Sequence, residues 1–371
     1  MSGRPDVLVV SLGTTKGLRV ADEGFAEQLR AAGATVALTA TRIGLTDRLR
    51  RGYPVNDVVE ALAARRATAS ALARERPRAV VFSTTTAALL APRLDLPFAI
   101  RFDSPAVLNR PGARNAPLHL LERRRMAQAA LLLPTSATAA APLTADVPTV
   151  VVPIPVRPAP SPAAGPPAAG AAAAAAGPVP AAAPPAPARE RVAVAYTPDP
   201  RAKGLDLLCA AWAQAALADA RLDVYGIAPA TARAFLARRG AAEPPGVRWR
   251  GMVPAGEFRA ALGAARAFVS AARWEDYGQA ALEAMSDGAL PVLAPAGGPF
   301  EALPLARALD PGLVAPDLEP ASLARALRHA FALDDDAAAA LRERAAGQLR
   351  DYAPERVVAR LAAEALPRLL R

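Results

Sequence analysis

Apolar residues in this chain gather in short runs, separated by longer stretches in which they recur every three or four positions. In the first half the runs are "DVLVVSL" (6–12), "ATVALTA" (34–40), "RAVVFST" (78–84), "PFAIRFD" (97–103), "ALLLPTS" (130–136) and "PTVVVPIPV" (148–156). In the second half they are "RVAVAYT" (191–197), "RLDVYGI" (221–227), "VRWRGMV" (247–253), "AFVSA" (267–271), "LPVLAP" (290–295) and "GLVAP" (312–316). Their length and aliphatic content predict strands buried on both faces. The stretches between them, such as "GFAEQLRAAG" and "VVEALAARRATASALARE", have helical spacing. Strands alternating with helices predict parallel sheets covered by helices.

From Pro158 to Ala188 the sequence is nearly all Pro, Ala and Gly, without charge. Proline interrupts any helix and the small side chains bury little, so a semi-extended tether is expected. It divides the 371 residues into an N-terminal domain over 1–157, a linker over 158–190 and a C-terminal domain with closing helices over 191–371. The expected fold class is therefore α/β, two Rossmann-like domains in tandem. In such sheets ligands bind beyond the carboxyl ends of the strands, so the expected site is the cleft between the domains.

Composition narrows the function classes. A hydrophobic share of 53%, much of it alanine, comes without a bilayer-spanning run, and the N-terminus passes straight into a strand without signal-peptide character, so a cytoplasmic protein is expected. One cysteine, Cys209, permits no internal disulfide, and with only two histidines no usual zinc set can form. The net charge of +10 suits an anionic partner. It is nearly all arginine scattered along helices, and no aromatics interleave with basic residues as a single-stranded nucleic-acid groove requires. The one local basic cluster, Arg123 to Arg125, reads either as a solvated helix face or as a peripheral contact with an anionic membrane at its inner face.

Three stretches carry chemistry. In "RWEDYGQAALEAMSDG" a strand ends, the chain loops through Glu275, Asp276, Tyr277 and Gly278, and a helix runs from Gln279 to Asp287 and stops at Gly288. Its N-terminal amides suit a phosphate or a sugar hydroxyl. Glu283 has no cation three or four positions away, and reads either as a salt-bridged surface residue or as a carboxylate awaiting hydroxyl donors. Lysine usage is the second signal. Of 44 basic residues only Lys16 and Lys203 are lysines, preceding Gly17 and Gly204 at strand-to-helix junctions where phosphates bind. Third, "APAGGPFEAL" places Gly297, Gly298 and Glu301 in the next strand-end loop.

Taken in order, "KGLDLLCAAW", "LDVYGI", "VRWRGMV" and "SAARWEDYGQAALEAMSDGALPVLAPAGGPFEAL" resemble the nucleotide-binding domain of retaining GT-B glycosyltransferases of the "glycosyl transferases group 1" type. The resemblance covers 191–371; its most specific element is the E-x7-E spacing of Glu275 and Glu283, and the front half fits more loosely through "LGTTKG" and "RAVVFSTT". It implies a GT-B fold and transfer from a nucleotide-diphosphate sugar, with retention, without a metal and without a further cofactor. It implies that Glu275 lies by the donor sugar and Glu283 by the ribose. Tyr277, Gly278 and Gln279 line the donor, and Lys203 neutralises the leaving diphosphate. Gly13, Lys16, Gly17 and Asp103 are then the expected front-domain cleft residues.

Two positions depart from the family pattern. An arginine expected about five residues before the lysine is Pro198, with Arg201 the nearest substitute, and the histidine expected after the fourth strand is absent from "RFDSPA", where Asp103 stands. They motivate a second reading, a non-catalytic nucleotide-sugar binding subunit; a third, an epimerase on a similar scaffold, has the E-x7-E pattern against it. The acceptor, whether glycan, lipid-linked or small molecule, is not encoded in any motif.

Overall fold

The computed structural model describes residues 3–14, 16–41, 53–144, 146–157 and 189–371, with the side chain of Lys16 left aside. The Pro/Ala-rich tether over 158–188 lies outside the described residues.

The front sheet contains β1 (Val7–Ser11), β2 (Val36–Ala40), β3 (Ala79–Phe82), β4 (Phe98–Phe102) and β5 (Leu131–Pro134), all parallel, in the order β2-β1-β3-β4-β5. The back sheet contains β6 (Glu190–Tyr196), β7 (Arg221–Tyr225), β8 (Val247–Gly251), β9 (Ala265–Ser270) and β10 (Leu290–Leu293), also parallel, in the order β10-β9-β6-β7-β8. Both are α/β layers, but the windings differ. The front order is that of flavodoxin-like sheets and the back order that of the Rossmann half-fold. The direction of winding reverses between β1 and β3 in front and between β6 and β9 behind, so the loops after those four strands face open crevices.

The sixth apolar run of each half forms only a bridge. Residues 148–152 run beside β5 through Leu132 N–H to Pro148 O, Val150 N–H to Leu132 O and Val152 N–H to Pro134 O. Pro148, Pro153 and Pro155 supply no amide, and the ladder stops. In the second half, the short 3₁₀ turn Pro311–Leu313 occupies the start of the run, leaving one bridge between Leu293 and Val314.

The closing helices correct the expected division. The division at the tether places residues 354–369 in the C-terminal domain. Their apolar side chains Val357, Leu361, Ala365, Leu366 and Leu369 instead pack with Val7, Val9, Phe25, Leu29 and Val81 on one face of the front sheet. Arg360 Nη1 donates to Val151 O at 3.1 Å, and Arg78 Nη2 to Leu370 O at 3.2 Å. The chain thus crosses between the domains a second time. The opposite face, with Leu8, Val10, Val80, Phe82 and Ile100, is covered from the helix Val55–Glu75 by Ala64 and Ala71.

Candidate functional site at the back-domain switch point

The loops after β6 and β9 bring together the residues that the sequence separates by seventy positions. After β6 the chain turns at Asp199, whose Oδ1 accepts from the amides of Arg201 at 2.9 Å and Ala202 at 3.1 Å. Gly204 then adopts φ +62° and caps the helix Leu205–Ala215. A Cβ there would overlap the carbonyl oxygen of Ala271 at the end of β9, so only glycine lets the two loops close. Arg273 N–H donates to Ala202 O at 2.9 Å, and the Arg273 guanidinium makes two 2.9 Å bonds to Asp206. This clamp aims Lys203 at the second loop. Its ammonium lies 2.7 Å from both carboxylate oxygens of Glu275.

Gly278, with φ +83°, starts the helix Gln279–Ser286, and a Cβ on it would strike the Phe300 ring. The glycine loop of 297–298 is joined directly to this one. Glu275 N–H donates to Gly297 O at 2.9 Å, Gly297 N–H to Arg273 O at 3.1 Å, and Gly298 sits at φ +90° under the Trp274 ring. The structure therefore places Lys203, Glu275, Gly278, Gln279, Gly297 and Gly298 around one crevice. Thr197, at the end of β6, has a buried hydroxyl without a partner at the same turn.

Glu283 has both a partner and a cost. Gln279 Nε2 donates to its Oε1 at 3.3 Å, and Arg259, from the helix Ala255–Ala264, comes no closer than 3.9 Å because it is bound to Asp287 through two 2.5 Å contacts. Burial pushes the Glu283 carboxyl up, and Arg259 only partly offsets it. The cation missing from its own helix is thus supplied at long range by another, a pairing that periodicity could not reveal.

Three expected donor residues are otherwise engaged. The Tyr277 hydroxyl, buried between the domains, accepts from Ile154 N–H at 3.0 Å and approaches Ile154 O at 3.3 Å. Glu301 immediately precedes the helix Ala302–Leu309 and accepts the Tyr352 hydroxyl at 2.5 Å, its carboxyl raised by burial. Arg201 is exposed, and its carbonyl accepts from Arg273 at 3.3 Å. Together with Gln279 Nε2 to Pro155 O at 3.3 Å and Val156 N–H to Tyr352 O at 2.8 Å, these contacts tie the segment 154–156 to the donor loop.

On the front side, Gly13 follows β1 at φ +59° and its carbonyl accepts from Arg19 at 2.8 Å; Lys16 and Gly17 begin the helix Lys16–Ala31. Beneath them Asp22, fully buried, accepts from Ser11 at 2.5 Å and Ser83 at 2.9 Å, with Arg101 at 3.9 Å. No motif marks this cluster, whose members come from β1, the helix Lys16–Ala31, the turn after β3 and β4. Asp103 is reached by water yet walled by both domains. That crowding, reinforced by the charge of Asp276 across the cleft, pushes its carboxyl up to about 6. The basic run 123–125 is not a single exposed patch. Arg125 is buried, lies 4.5 Å from the Phe98 ring centroid and donates to Ala88 O at 3.0 Å.

Among the described residues no helix is long and apolar enough to cross a membrane. Residues 190–332 match the family model described as "Glycosyl transferases group 1". No curated protein matches the chain in sequence. Solved structures match its architecture over nearly the whole length. Sucrose-phosphate synthase from Thermosynechococcus elongatus is similar at TM-score 0.69 and 16% identity, covering 96% of each chain. A glycosyltransferase from Rickettsia africae is similar at 0.68 and 14% identity, covering 98% of each. Anabaena Alr3699/HepE, in complex with UDP-glucose, is similar at 0.66 and 14% identity, covering 98% of this chain and 99% of that one. Residues 190–332 thus match the glycosyl transferases group 1 model, in a chain of GT-B architecture.

Proposed function

We propose that the chain is a retaining glycosyltransferase: the back domain holds a nucleotide-diphosphate sugar and the front domain presents the hydroxyl of an acceptor. The observation that carries this reading is the Lys203–Glu275 pair at the β6/β9 crevice, beside the amide end of the helix Gln279–Ser286. An incoming diphosphate takes over the ammonium of Lys203, and Glu275, released, accepts a hydroxyl of the donor sugar. Glu283, raised by burial and poorly matched by Arg259, gains two ribose hydroxyls as donors.

As the bond from the anomeric carbon to the phosphate oxygen breaks, its electron pair goes to the diphosphate, where Lys203 and the helix amides meet the growing charge in place of a divalent cation. The acceptor oxygen bonds to the anomeric carbon on the face that the phosphate leaves, and its proton passes to the departing phosphate. Asp103 and Asp276 flank the cleft opposite each other and suit hydroxyl acceptance. A nucleotide-sugar donor implies a cytoplasmic reaction. Arg123 and Arg124 leave two cations for a peripheral contact with an anionic bilayer, which this chemistry does not require.

The test is thermal unfolding with UDP, GDP, ADP and dTDP. A ligand at about 100 times its dissociation constant adds roughly 2.7 kcal/mol of stability. A shift with one nucleotide that is lost in Glu283→Ala supports the assignment, and no shift with any of the four overturns it. Pro198, which offers no cation, and the exposed Arg201 favour a second reading, a nucleotide-sugar binding subunit without turnover. Sugar transfer to any acceptor rules that reading out, and conversion of the nucleotide sugar without acceptor would instead mark an epimerase.

A further inference from the structure

Two cavities lie in the front domain and share Glu122 as a lining residue. One, of about 170 Å³, is polar and opens beyond the ends of β3 and β4, with Thr85, Thr86, Asn109 and Glu60 among its walls. The other, of about 260 Å³, is mainly apolar and runs beside the helix Ala116–Met126, walled by Pro105, Val107, Met126, Pro142 and Leu143. Glu122, part of the wall of both, is buried, accepts from Ala106 N–H at 2.8 Å and from Thr85, and its carboxyl is raised by burial. Val107, on the wall of the larger cavity, is an apolar side chain left 44% exposed. Leu120, 43% exposed, lies one helical turn from Ala116 and extends the apolar rim on that side.

The polar chamber stands where a front-domain acceptor must stand, at the carboxyl ends of the strands. Its carboxylate, hydroxyl and amide groups are those that hold a hydroxylated molecule. The apolar groove has no task in that recognition. Ala116 and Met126, both on its wall, are ten residues or about 15 Å apart along the helix axis, which suits an extended hydrocarbon chain rather than a second sugar. A purely hydrophilic acceptor would leave Val107 and Leu120 uncovered.

We infer that the acceptor is an amphiphile, its hydroxylated head in the chamber beside Glu122 and its single apolar chain in the groove along the helix Ala116–Met126. The inference rests on the front domain's role as the acceptor side.

The probes are octyl β-D-glucopyranoside, kept below its micelle concentration, and methyl β-D-glucopyranoside, titrated calorimetrically into the full chain. The octyl compound binds at least about tenfold more tightly than the methyl one, since several methylenes leave water. Ala116→Trp, from an exposed position on the groove wall, and Thr144→Trp, from the opposite wall, each reduce octyl binding to the methyl level. Neither changes the UDP-induced thermal shift, which shows that both variants are folded and the donor side intact. Equal affinity for the two glucosides, or octyl binding untouched by both tryptophans, overturns the inference. Absence of a shift with any of the four nucleotides in the unmodified chain overturns the donor assignment instead, while the glucoside comparison still decides this one.

Discussion

Lys203→Ala isolates the contact on which the donor reading turns. The ammonium and the Glu275 carboxylate are 22% and 16% exposed and 2.7 Å apart, so the pair is neutral and partly wet before any ligand arrives. Two effects act on binding when the lysine is truncated. A charge-assisted hydrogen bond to the diphosphate is lost, worth about 1.5–3 kcal/mol, or roughly 10- to 150-fold in affinity. Glu275 is also left un-neutralised. At an effective dielectric constant of about 20, a phosphate charge about 6 Å from it is repelled by roughly 3 kcal/mol, reduced by salt. The single variant should therefore bind UDP at least about 100-fold more weakly, while its fold loses only about 0–1 kcal/mol, as expected for a partly exposed pair.

Glu275→Gln separates the two effects. Alone it frees the ammonium, so UDP binds at least as tightly as to the unmodified chain while sugar transfer falls. Combined with Lys203→Ala, it restores the part due to repulsion. Titration calorimetry of UDP at two salt concentrations measures all four proteins. If Lys203→Ala binds UDP within about twofold of the unmodified chain, the ammonium does not face the nucleotide, and the donor assignment fails with it.

Other outcomes follow from the same geometry. Gly278→Ala forces a Cβ into Phe300 at φ +83° and should cost about 2–4 kcal/mol, read as a fall in the thermal midpoint; an unchanged midpoint refutes the glycine requirement. Arg259→Ala removes the bidentate cation of Asp287, whose side chain is fully buried, and should cost about 3–5 kcal/mol; Arg259→Met with Asp287→Asn should recover much of it. For Asp103, the folded carboxyl titrates near 6, above the ordinary 3.8, so its stabilising contribution is complete below about pH 4 and is lost as pH rises through 6. Asp103→Asn should therefore raise the midpoint relative to the unmodified chain at pH 8 and lose that advantage toward pH 4, by an amount trimmed by solvent screening. A difference independent of pH would contradict the crowding by both domains.

The strands were legible because a buried parallel strand needs a continuous apolar run, and β1 and β3 have little else. The runs at 148–156 and 312–316 misled for a local reason, proline without an amide in one and a 3₁₀ turn in the other. Lys203, Glu275 and the Gly297–Gly298 loop were legible because each sits at a strand end, where topology delivers it to the crevice. Arg259 beside Glu283 was not, because it comes from a different helix and periodicity describes only neighbours on one. Arg125 looked like part of a solvated run. Its burial depends on Phe82 and Phe98 arriving from two other strands. The helices over 354–369 read as closing the C-terminal domain because nothing in their residues names the sheet against which their apolar side chains pack.

That second crossing bears on how the chain is made and cut. The front sheet is synthesised first, yet the part of one face that the helix Lys16–Ala31 does not cover stays open until residues 354–369 have left the ribosome, so it is begun first and finished last. A protease that cuts anywhere between 158 and 188 would not separate the halves. The second fragment carries part of the first fragment's core, and the two would remain interlocked along a buried apolar seam.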